Sequence, residues 1–573
     1  MNKQNPLIVP TLLLSIVALF LSETRLASTP SLTAAVDYTI LLMILMEIRL
    51  DYRRATYKRV YIKRSAGALL FALIYFGLFL YAQLTPVSST VAVSRFPTVV
   101  VIIRNVCISL RIFDRLRRLS AILYEISTRP AQTILLSFFV VIVAGALLLM
   151  LPFTSATSEG LSFVDALFTA TSAVCVTGLI VVDTETAFSI YGKIVILILI
   201  QIGGLGIMLL SYFTVFIFRR SVSIEDKMLI SYMISEGDMT RLARSLANII
   251  YTTLAIELVG TVILTLGFFG RSGSLRESFA LGVFHSVSAF CNAGFSLFSD
   301  SLRGFHDDPL VLLPMTMLIL TGGVSFAVLT DLRRSVGSSF RRILRRGRVV
   351  SRASFNTRVV LASTAVLLVA GTLLFYGLEF RNAMSSDPAH VQYLSSFFQS
   401  VAFRTAGFNS IEFNRLRPPT YLLVTVFMFI GGASGSTAGG IKVNTVSVML
   451  SYLVSTARDR ETVVIYRHSI ATATVTRAFL ILFFGISAIF IGTLLLSLFE
   501  EAPIERIYFE AVSAFGTVGL SSGLTAALSI PGKCVIMLLM FLGRLGPLTI
   551  LAAATRPRPK ERIEYPRSEI AIG

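Results

Sequence analysis

Residues 512–520, VSAFGTVGL, decide the fold of this chain because closely similar nonapeptides occur three times before them. The earlier copies are TSAVCVTGL (171–179), VSAFCNAGF (287–295) and SVAFRTAGF (400–408). Aligned on Gly178, Gly294, Gly407 and Gly519, the copies lie 112 to 116 residues apart. Self-similarity at a nearly constant period indicates a repeat architecture, so we predict four structural units that share one plan.

Two long apolar runs flank each nonapeptide. In chain order they pair as 131–151 with 190–218, 246–270 with 309–330, 358–380 with 420–453, and 474–499 with 529–553. A run of about 20 apolar residues is long enough to span a bilayer as a helix. The segments just before the glycines are too short to cross, and we predict re-entrant half-helices at 162–174, 278–291, 391–404 and 504–515.

The composition of the 573-residue chain is that of a membrane protein. Charged residues make up only 14% and the mean hydropathy is +0.78, whereas a soluble domain carries about 25% charged residues. The apolar runs are continuous instead of alternating, which disfavours a closed β-barrel. We therefore predict an all-α polytopic membrane protein. Four fused modules, each with two membrane runs around a short half-helix, follow about four extra transmembrane helices.

The net charge of +19 comes largely from basic residues in short loops between apolar runs. These basic loops are 49–64, 111–129, 219–244, 332–358, 458–467 and 556–567. The positive-inside rule places them, and both termini, on the cytoplasmic side of the plasma (inner) membrane. Membrane topology explains this charge better than nucleic-acid binding does, and we expect no nucleic-acid partner.

We predict five regions along the chain. Residues 1–129 form an N-terminal four-helix membrane domain that ends near Arg129-Pro130. The remainder divides into pore modules at 130–240, 241–350, 351–470 and 471–573. The third module contains an intramembrane loop, and the fourth ends in the C-terminal tail.

Two interpretations of the N-terminal domain stay open. Its second run carries or adjoins Asp37, Glu47 and Asp51, and its fourth run carries Arg104, Arg111, Arg115 and Arg118. The arginine spacing places them on one helical stripe, as in a voltage-sensor-like domain. Alternatively, the segment from Arg111 to Arg118 is an amphipathic helix at the cytoplasmic interface.

Glycine loops between half-helices suit one kind of chemistry. An ion that enters a narrow pore must exchange water for oxygens of similar strength, which rings of backbone carbonyls supply. Glycine permits the unusual backbone angles that turn successive carbonyls inward. The partly negative C-terminal ends of the half-helices add attraction for a cation. Four such loops around one axis predict a cation-conducting pore built by a single polypeptide.

The four nonapeptides, together with IGGASGSTAGGIKV (430–443) and FLGRLGPLT (541–549), resemble the Trk/Ktr/HKT superfamily of K+ transporters. The resemblance is closest to the KtrB-type ion-translocating membrane subunit and covers about residues 129–560. It implies K+ as the transported ion, because serine at the first filter glycine is associated with Na+ permeation and all four positions here are glycine. It implies that the four fused modules are M1–pore helix–M2 units with pseudo-fourfold symmetry. It also implies a homodimer in the lipid bilayer and a separate cytosolic nucleotide-binding regulatory subunit.

The predicted K+ selectivity filter comprises Val176, Thr177, Gly178, Asn292, Ala293, Gly294, Thr405, Ala406, Gly407, Thr517, Val518 and Gly519. The resemblance implies a gate that comprises Gly431, Gly432, Gly435, Ser436, Thr437, Gly439, Gly440, Lys442 and Arg544. Residues 431–440 interrupt an apolar run with residue types that do not hold a stable helix, which predicts a flexible insert below the filter. Arg544 lies inside the last membrane run, where an ionisable residue is functional by default, and the resemblance implies that it latches the gate.

Other functions are less consistent with the sequence. The segment GSTAGGIK (435–442) is not a phosphate loop, because Ile441 separates Gly440 from Lys442 and apolar runs flank it. No nucleophile–base grouping is evident, so we predict no enzymatic activity. We also predict no bound cofactor and no transition-metal site, K+ at the filter carbonyls being the metal.

We therefore predict potassium uptake through a gated, K+-selective pore. The alternative is an Na+- or H+-coupled potassium (or sodium) transporter, which would place membrane-embedded carboxylates on the ion path. The pore-module runs are nearly free of them, and the main exceptions are Glu257 and Glu510.

Overall fold

The computed structural model describes residues 130–156, 160–218, 242–345 and 353–554, together with Thr39, Leu42, Met46, Arg49, Tyr52 and Arg53. The chain forms two compact units. The larger consists of Arg129–Leu149, Ser162–Thr214 and Val222–Gly573, and the smaller of Met1–Thr128, Met150–Leu161 and Val215–Ser221. The acidic and arginine positions of the predicted N-terminal domain lie outside the described residues, so both interpretations of that domain stay predictions.

The described part of the chain is mostly helical. Its helices, in chain order, are α1 (Pro130–Leu149), α2 (Phe163–Val174), α3 (Thr184–Ala187), α4 (Ile190–Phe218), α5 (Leu242–Ser272), α6 (Leu275–Phe290), α7 (Pro309–Gly323), α8 (Phe326–Arg345), α9 (Phe355–Glu379), α10 (Ala389–Ala402), α11 (Pro418–Phe429), α12 (Val443–Ala457), α13 (Thr472–Phe499), α14 (Ile504–Gly516), α15 (Ile530–Leu545) and α16 (Pro547–Ala554). A hairpin of two strands, β1 (Val464–Ile465) and β2 (His468–Ser469), joins α12 to α13. Helices α2, α6, α10 and α14 each end just before one of the four glycines. We call α1–α4, α5–α8, α9–α12 and α13–α16 the first, second, third and fourth sets of helices.

Several of these helices suit a bilayer. By length and composition alone, α9, α13 and the stretch Ala247–Arg271 of α5 can each cross a membrane, and the pair α7–α8 qualifies together although it bends by 106°. Large apolar side chains such as Leu258, Val366 and Phe483 are exposed along them. Hydrocarbon can cover such faces, so the exposure is consistent with a membrane protein.

The helices that follow the glycines are broken, which the apolar runs at 309–330 and 529–553 did not predict. Helix α4 kinks at Gly206, where φ is +79°, and α15 ends before Gly546, where φ is +77°. Between α7 and α8, the carbonyl of Gly323 accepts a hydrogen bond from the amide of Ala433 at 3.0 Å. Tertiary hydrogen bonds of this kind replace the helical ones that a continuous span would make.

Buried and half-buried carboxylates hold the connections on the glycine side of the helices. Glu510 of α14 is fully buried and accepts hydrogen bonds from the Ser522 amide (2.8 Å), the Ser521 hydroxyl (2.7 Å) and the Thr525 hydroxyl (2.6 Å). Glu379 accepts from the Arg417 amide, and Glu500 from the Ser529 amide, each at 3.0 Å. These carboxylates therefore fix the chain where α11 and α15 begin.

Replacing Glu510 by alanine is expected to lower the free energy of unfolding by about 3 kcal/mol, because each buried donor left without a partner costs about 1–3 kcal/mol. Denaturant unfolding of the detergent-solubilised protein measures this change. Glu501, which is exposed in the preceding connection, is the matched control, and its alanine variant is expected to unfold like the wild type. Equal losses in the two variants would contradict the assigned role of Glu510.

Candidate functional site

The four glycines of the repeated nonapeptides meet in a closed ring. A β-carbon built on Gly178 would lie 2.9 Å from the Cα of Gly294, and one on Gly294 would lie 3.1 Å from the Cα of Gly407. One on Gly407 would lie 3.2 Å from the Cα of Gly519, and one on Gly519 would return to within 3.0 Å of the Cα of Gly178. Residues more than 300 positions apart therefore touch through bare backbone. We call this set the glycine ring.

Four backbone oxygens belong to the glycine ring. A β-carbon on each glycine would meet the carbonyl oxygen of the residue that precedes the next glycine. These oxygens, the ring carbonyls, belong to Thr177, Ala293, Ala406 and Val518. Each neighbouring pair of segments thus presents one carbonyl at the contact, and the arrangement leaves no space for a side chain at any of the four positions.

A shared backbone conformation produces this arrangement. The residues two positions before the glycines, Val176, Asn292, Thr405 and Thr517, have φ values of 55°, 59°, 72° and 49°. The glycines follow with φ values of 89°, 71°, 72° and 94°. Left-handed φ is unusual for any residue with a side chain, and for valine and threonine it is a genuine outlier. Such strain persists only where the surroundings impose it, and it clusters at functional sites.

The short helices impose the conformation by engaging the amides of the loops. The Thr177 amide donates to the Ser172 carbonyl at 2.8 Å, Ala293 to Ser288 at 2.7 Å, and Val518 to Ser513 at 2.9 Å. In the third segment the Gly407 amide donates to the Ala402 carbonyl at 3.3 Å. The loop amides therefore point back into α2, α6, α10 and α14, and each ring carbonyl lies against the neighbouring ring glycine.

Two serine hydroxyls support the ring directly. Ser172 Oγ accepts a hydrogen bond from the Gly178 amide at 3.1 Å, and Ser513 Oγ accepts one from the Gly519 amide at 3.2 Å. The corresponding position of the third nonapeptide is Val401.

Replacing Ser513 by alanine is expected to destabilise the protein by about 1–3 kcal/mol, because the Gly519 amide would lose its acceptor. The midpoint of thermal unfolding of the purified protein reports this loss. Ser497→Ala is the control, since that exposed hydroxyl donates only to the Leu494 carbonyl of its own helix. A midpoint for Ser513→Ala that matches the control would contradict the supporting role.

Two cavities belong to the site, and we call the one at the glycine ring the outer cavity and the one between α4, α15 and the segment that joins α11 to α12 the inner cavity. The outer cavity, of about 280 Å³, is lined by all four ring glycines and by Asp183, Asp300, Arg303 and Glu412. The inner cavity, of about 480 Å³, is lined by Gly206, Ser436, Lys442, Arg477 and Arg544 among others. The charged residues that line the outer cavity are therefore mostly acidic, and those that line the inner cavity are basic.

Residues 430–442 form a non-helical inserted loop between α11 and α12. Its two ends pair, since the Gly431 amide donates to the Ile441 carbonyl at 2.8 Å and the Val443 amide to the Gly432 carbonyl at 3.0 Å. A β-carbon on Gly431 would lie 3.4 Å from Cγ2 of Thr405, and one on Gly439 would lie 3.0 Å from Cβ of Thr517. The inserted loop thus packs directly against the left-handed residues of the third and fourth nonapeptides.

The second set of helices anchors the inserted loop from another side. The Thr437 amide donates to the Gly322 carbonyl at 3.2 Å, and the Thr437 hydroxyl to the Phe290 carbonyl at 3.2 Å. The Phe326 amide donates to the Gly435 carbonyl at 3.3 Å. Gly432, Ser436 and Gly440 also belong to the inserted loop.

Arg544 ties the inserted loop to the first set of helices. Its guanidinium donates from Nη1 to the Thr437 carbonyl and from Nη2 to the Gly203 carbonyl, and the side chain is buried. Lys442 Nζ donates to the carbonyls of Ala438 and Gly439. Every residue of the predicted gate therefore lies in the inserted loop or contacts it.

Glu257 and His285 are buried ionisable residues that have local partners. Glu257 is buried behind the second nonapeptide, where its carboxylate accepts from Gln201 Nε2 at 3.3 Å. His285 is a residue of α6 and packs against the chain that follows Gly294, with its Nε2 3.0 Å from Ser296 Oγ. Within the described residues, no group of three or more His, Cys, Asp or Glu side chains suits a metal ion.

Some features of the site could not be identified from the sequence. The left-handed positions are filled by three different residue types, so only their constant distance from the glycines marks them. Within the described part of the chain, the hydroxyls of Thr177 and Thr517 also have no hydrogen-bond partner although both are buried. Both hydroxyls belong to residues of the repeated nonapeptides.

Comparison with known proteins gives consistent matches. Residues 102–564 match the family described as TrkH, cation transport protein. The Ktr system potassium uptake protein B of Bacillus subtilis (strain 168) is 37% identical over 446 residues, which covers 78% of this chain and 97% of that protein. The protein of the same name from Vibrio alginolyticus is 39% identical over 444 residues, covering 77% and 94%.

A solved structure shares the fold. The potassium transporter TrkH from Vibrio parahaemolyticus matches with a TM-score of 0.60 and 19% sequence identity. The match covers 85% of this chain and 97% of that one.

Proposed function

This chain belongs to the TrkH family of cation transport proteins, and from that premise we propose that it takes up K+ through a gated, K+-selective pore. The observation that carries the proposal is the closed glycine ring with its four ring carbonyls. Relatives that are 37% and 39% identical over most of their length are named potassium uptake proteins. In this proposal the four sets of helices are M1–pore helix–M2 modules around a pseudo-fourfold axis.

Selectivity arises where the ion loses its water. K+ collects in the outer cavity, where Asp183, Asp300 and Glu412 attract cations. At the glycine ring the ring carbonyls replace its hydration shell without burying a counter-charge. The C-terminal dipole ends of the short helices favour the cation at the same point. A negative-inside membrane potential then drives it inward by about 2.3 kcal/mol per 100 mV.

The inserted loop is the gate in this proposal. It crosses below the glycine ring, packs on Thr405 and Thr517, and is tied down through Arg544. Conduction requires the loop to move toward the inner cavity, and loss of the Arg544 bonds favours that movement. The resting arrangement places two cations beneath the ring, the buried Arg544 and the half-buried Lys442, which opposes a further cation there until the loop shifts.

A coupled transporter is the second candidate. Glu257 is a buried membrane carboxylate near the second nonapeptide, and such groups mark proton or ion pathways in transporters. One relative that is 34% identical is named a potassium/sodium uptake protein. A current that reverses at the K+ equilibrium potential, whatever the pH and Na+ concentration, favours the pore, whereas a reversal that follows pH or Na+ favours coupling.

We extend the proposal to location and partners. The basic loops and both termini face the cytoplasm of the plasma membrane, and the protein works as a homodimer with a separate cytosolic nucleotide-binding subunit. Labelling of the exposed Cys534 by a membrane-impermeant thiol reagent added from outside tests the orientation. Cys534 lies near the start of α15, on the side predicted to be external.

The direct test of the function is K+ uptake in a bacterial strain that lacks its own K+ transporters. Expression of the chain is expected to restore growth at low K+, with uptake that discriminates against Na+. Normal expression in the membrane without any restored uptake, with or without its regulator, would overturn the proposal.

A further inference from the structure

An apolar groove runs along the outside of the second set of helices, away from the ion path. It encloses about 810 Å³ between α5 and α7, within the range of about 300–1,000 Å³ that ligand pockets span. Its walls include Ala255, Val259 and Ile263 of α5 and Leu313 and Met317 of α7. Val259 and Met317 are 59% and 60% exposed, so the groove lies open on the face that the bilayer would cover.

One end of the groove is polar. Asn248, Tyr251 and Thr252 line it from the first turns of α5, and Thr321 lines it from the last turn of α7. Arg333 reaches the same end of the groove from α8, whose axis is bent by 106° from that of α7. The opposite end is lined by apolar side chains, so the groove is amphipathic along its length.

Arg333 is the single charge in the lining of the groove. Among the residues that the structure describes, it forms no ion pair. The nearby Asp331 is engaged elsewhere, since it accepts from the Ser354 amide at 2.9 Å and the Thr357 hydroxyl at 2.7 Å. Arg333 is exposed at the groove mouth, and its guanidinium can accept a planar bidentate partner such as a phosphate.

We propose that this groove binds an acidic glycerophospholipid of the cytoplasmic leaflet. Its phosphate lies at Arg333, with Asn248 and Tyr251 as further donors, and one acyl chain extends along Val259, Ile263 and Met317. The assignment uses the membrane orientation of the proposed function, in which α8 is on the cytoplasmic side. Basic pockets between transmembrane helices on that side are suited to acidic lipid headgroups.

A second copy of the chain suits the groove less well. In a twofold contact the same surface meets itself. The lining contains one cation and no carboxylate, so each Arg333 would be buried without a counter-charge, which is costly. A lipid supplies both the anion and the apolar chain that the groove requires.

The chain contains no tryptophan, which permits a direct test in reconstituted full-length protein. Met317→Trp places a single fluorophore in the groove wall, and Leu258→Trp places one on α5 outside the groove. The two native side chains are similarly exposed, at 60% and 64%. Phosphatidylcholine vesicles then receive a small fixed fraction of brominated phosphatidylglycerol or brominated phosphatidylcholine, and quenching of each tryptophan is compared.

At Met317→Trp, we expect phosphatidylglycerol to occupy the site about fivefold more readily than phosphatidylcholine. This ratio corresponds to the attraction of about 1 kcal/mol between one basic side chain and an acidic lipid surface. At Leu258→Trp the two lipids are expected to quench equally. Adding Arg333→Gln to Met317→Trp should remove the preference, whereas adding Arg334→Gln, from outside the groove lining, should leave it. Equal quenching at Met317→Trp, no quenching by either lipid, or a preference that survives Arg333→Gln would overturn the proposal. The function assay is separate, because K+ uptake does not enter this measurement.

Discussion

Replacing Gly519 by serine is expected to abolish the preference for K+ over Na+ and to slow K+ uptake at least about tenfold, which corresponds to ~1.4 kcal/mol in the barrier. A β-carbon at Gly519 would overlap the carbonyl oxygen of Thr177 and lie 3.0 Å from the Cα of Gly178. Because the ring is closed, the first and fourth segments can only separate by displacing a ring carbonyl. Uptake of K+ and Na+ in the transporter-deficient strain measures both effects.

Gly273→Ser is the matched control for this substitution. Gly273 also has a positive φ, +64°, but nothing lies within 4 Å of the position where its β-carbon would be. A side chain is placed at a positive φ in both variants, and only at Gly519 does it also disturb the ring. Gly178→Ser should behave like Gly519→Ser, and Gly273→Ser like the wild type. Retention of K+ selectivity in both ring variants would contradict the filter assignment.

Replacing Arg544 by alanine is expected to raise K+ flux several-fold in the absence of any regulator. The substitution removes the donors to the Thr437 and Gly203 carbonyls and with them the tie between the inserted loop and the first set of helices. Hydrogen bonds to a charged group contribute about 1.5–3 kcal/mol each, so their loss shifts the loop strongly toward its displaced position. Flux of a K+ tracer into proteoliposomes reports the change.

Arg544→Lys separates charge from hydrogen bonding. It keeps the cation in the inner cavity but lacks the rigid fork that spans two carbonyls. Flux between those of the wild type and Arg544→Ala supports a latch, whereas flux equal to the wild type would mean that charge alone matters. Lower flux in Arg544→Ala, with selectivity and unfolding midpoint unchanged, would contradict the latch and make Arg544 part of the conducting path.

The sequence predicted the parts of the fold that depend on what glycine and apolar runs can do physically. Half-helices predicted at 162–174 and 504–515 compare with helices at Phe163–Val174 and Ile504–Gly516, because the apolar segment simply ends where the glycine-bearing loop begins. The inserted loop was predictable for the same reason. Its glycines and hydroxyl residues break an otherwise continuous apolar run.

The remaining features depend on contacts between distant segments. The residue type does not favour φ = 49° at Thr517; hydrogen bonds back to the end of α14 and packing against the distant Gly439 together hold it there. The break after Gly323 depends on a hydrogen bond from Ala433, more than 100 positions away in the sequence. Glu379 and Glu500 fix the starts of α11 and α15 from helices that precede them, and an isolated glutamate at a helix end carries no mark of that role.

The most direct measurement is an experimental structure determined in Rb+, with anomalous scattering used to locate the ion. The ring carbonyls of Thr177, Ala293, Ala406 and Val518 are predicted to surround an anomalous peak on the axis of the glycine ring. An ordered glycine ring without a peak, or Rb+ held by side chains at another place along the path, would contradict the claim that backbone oxygens from four segments bind the dehydrated ion.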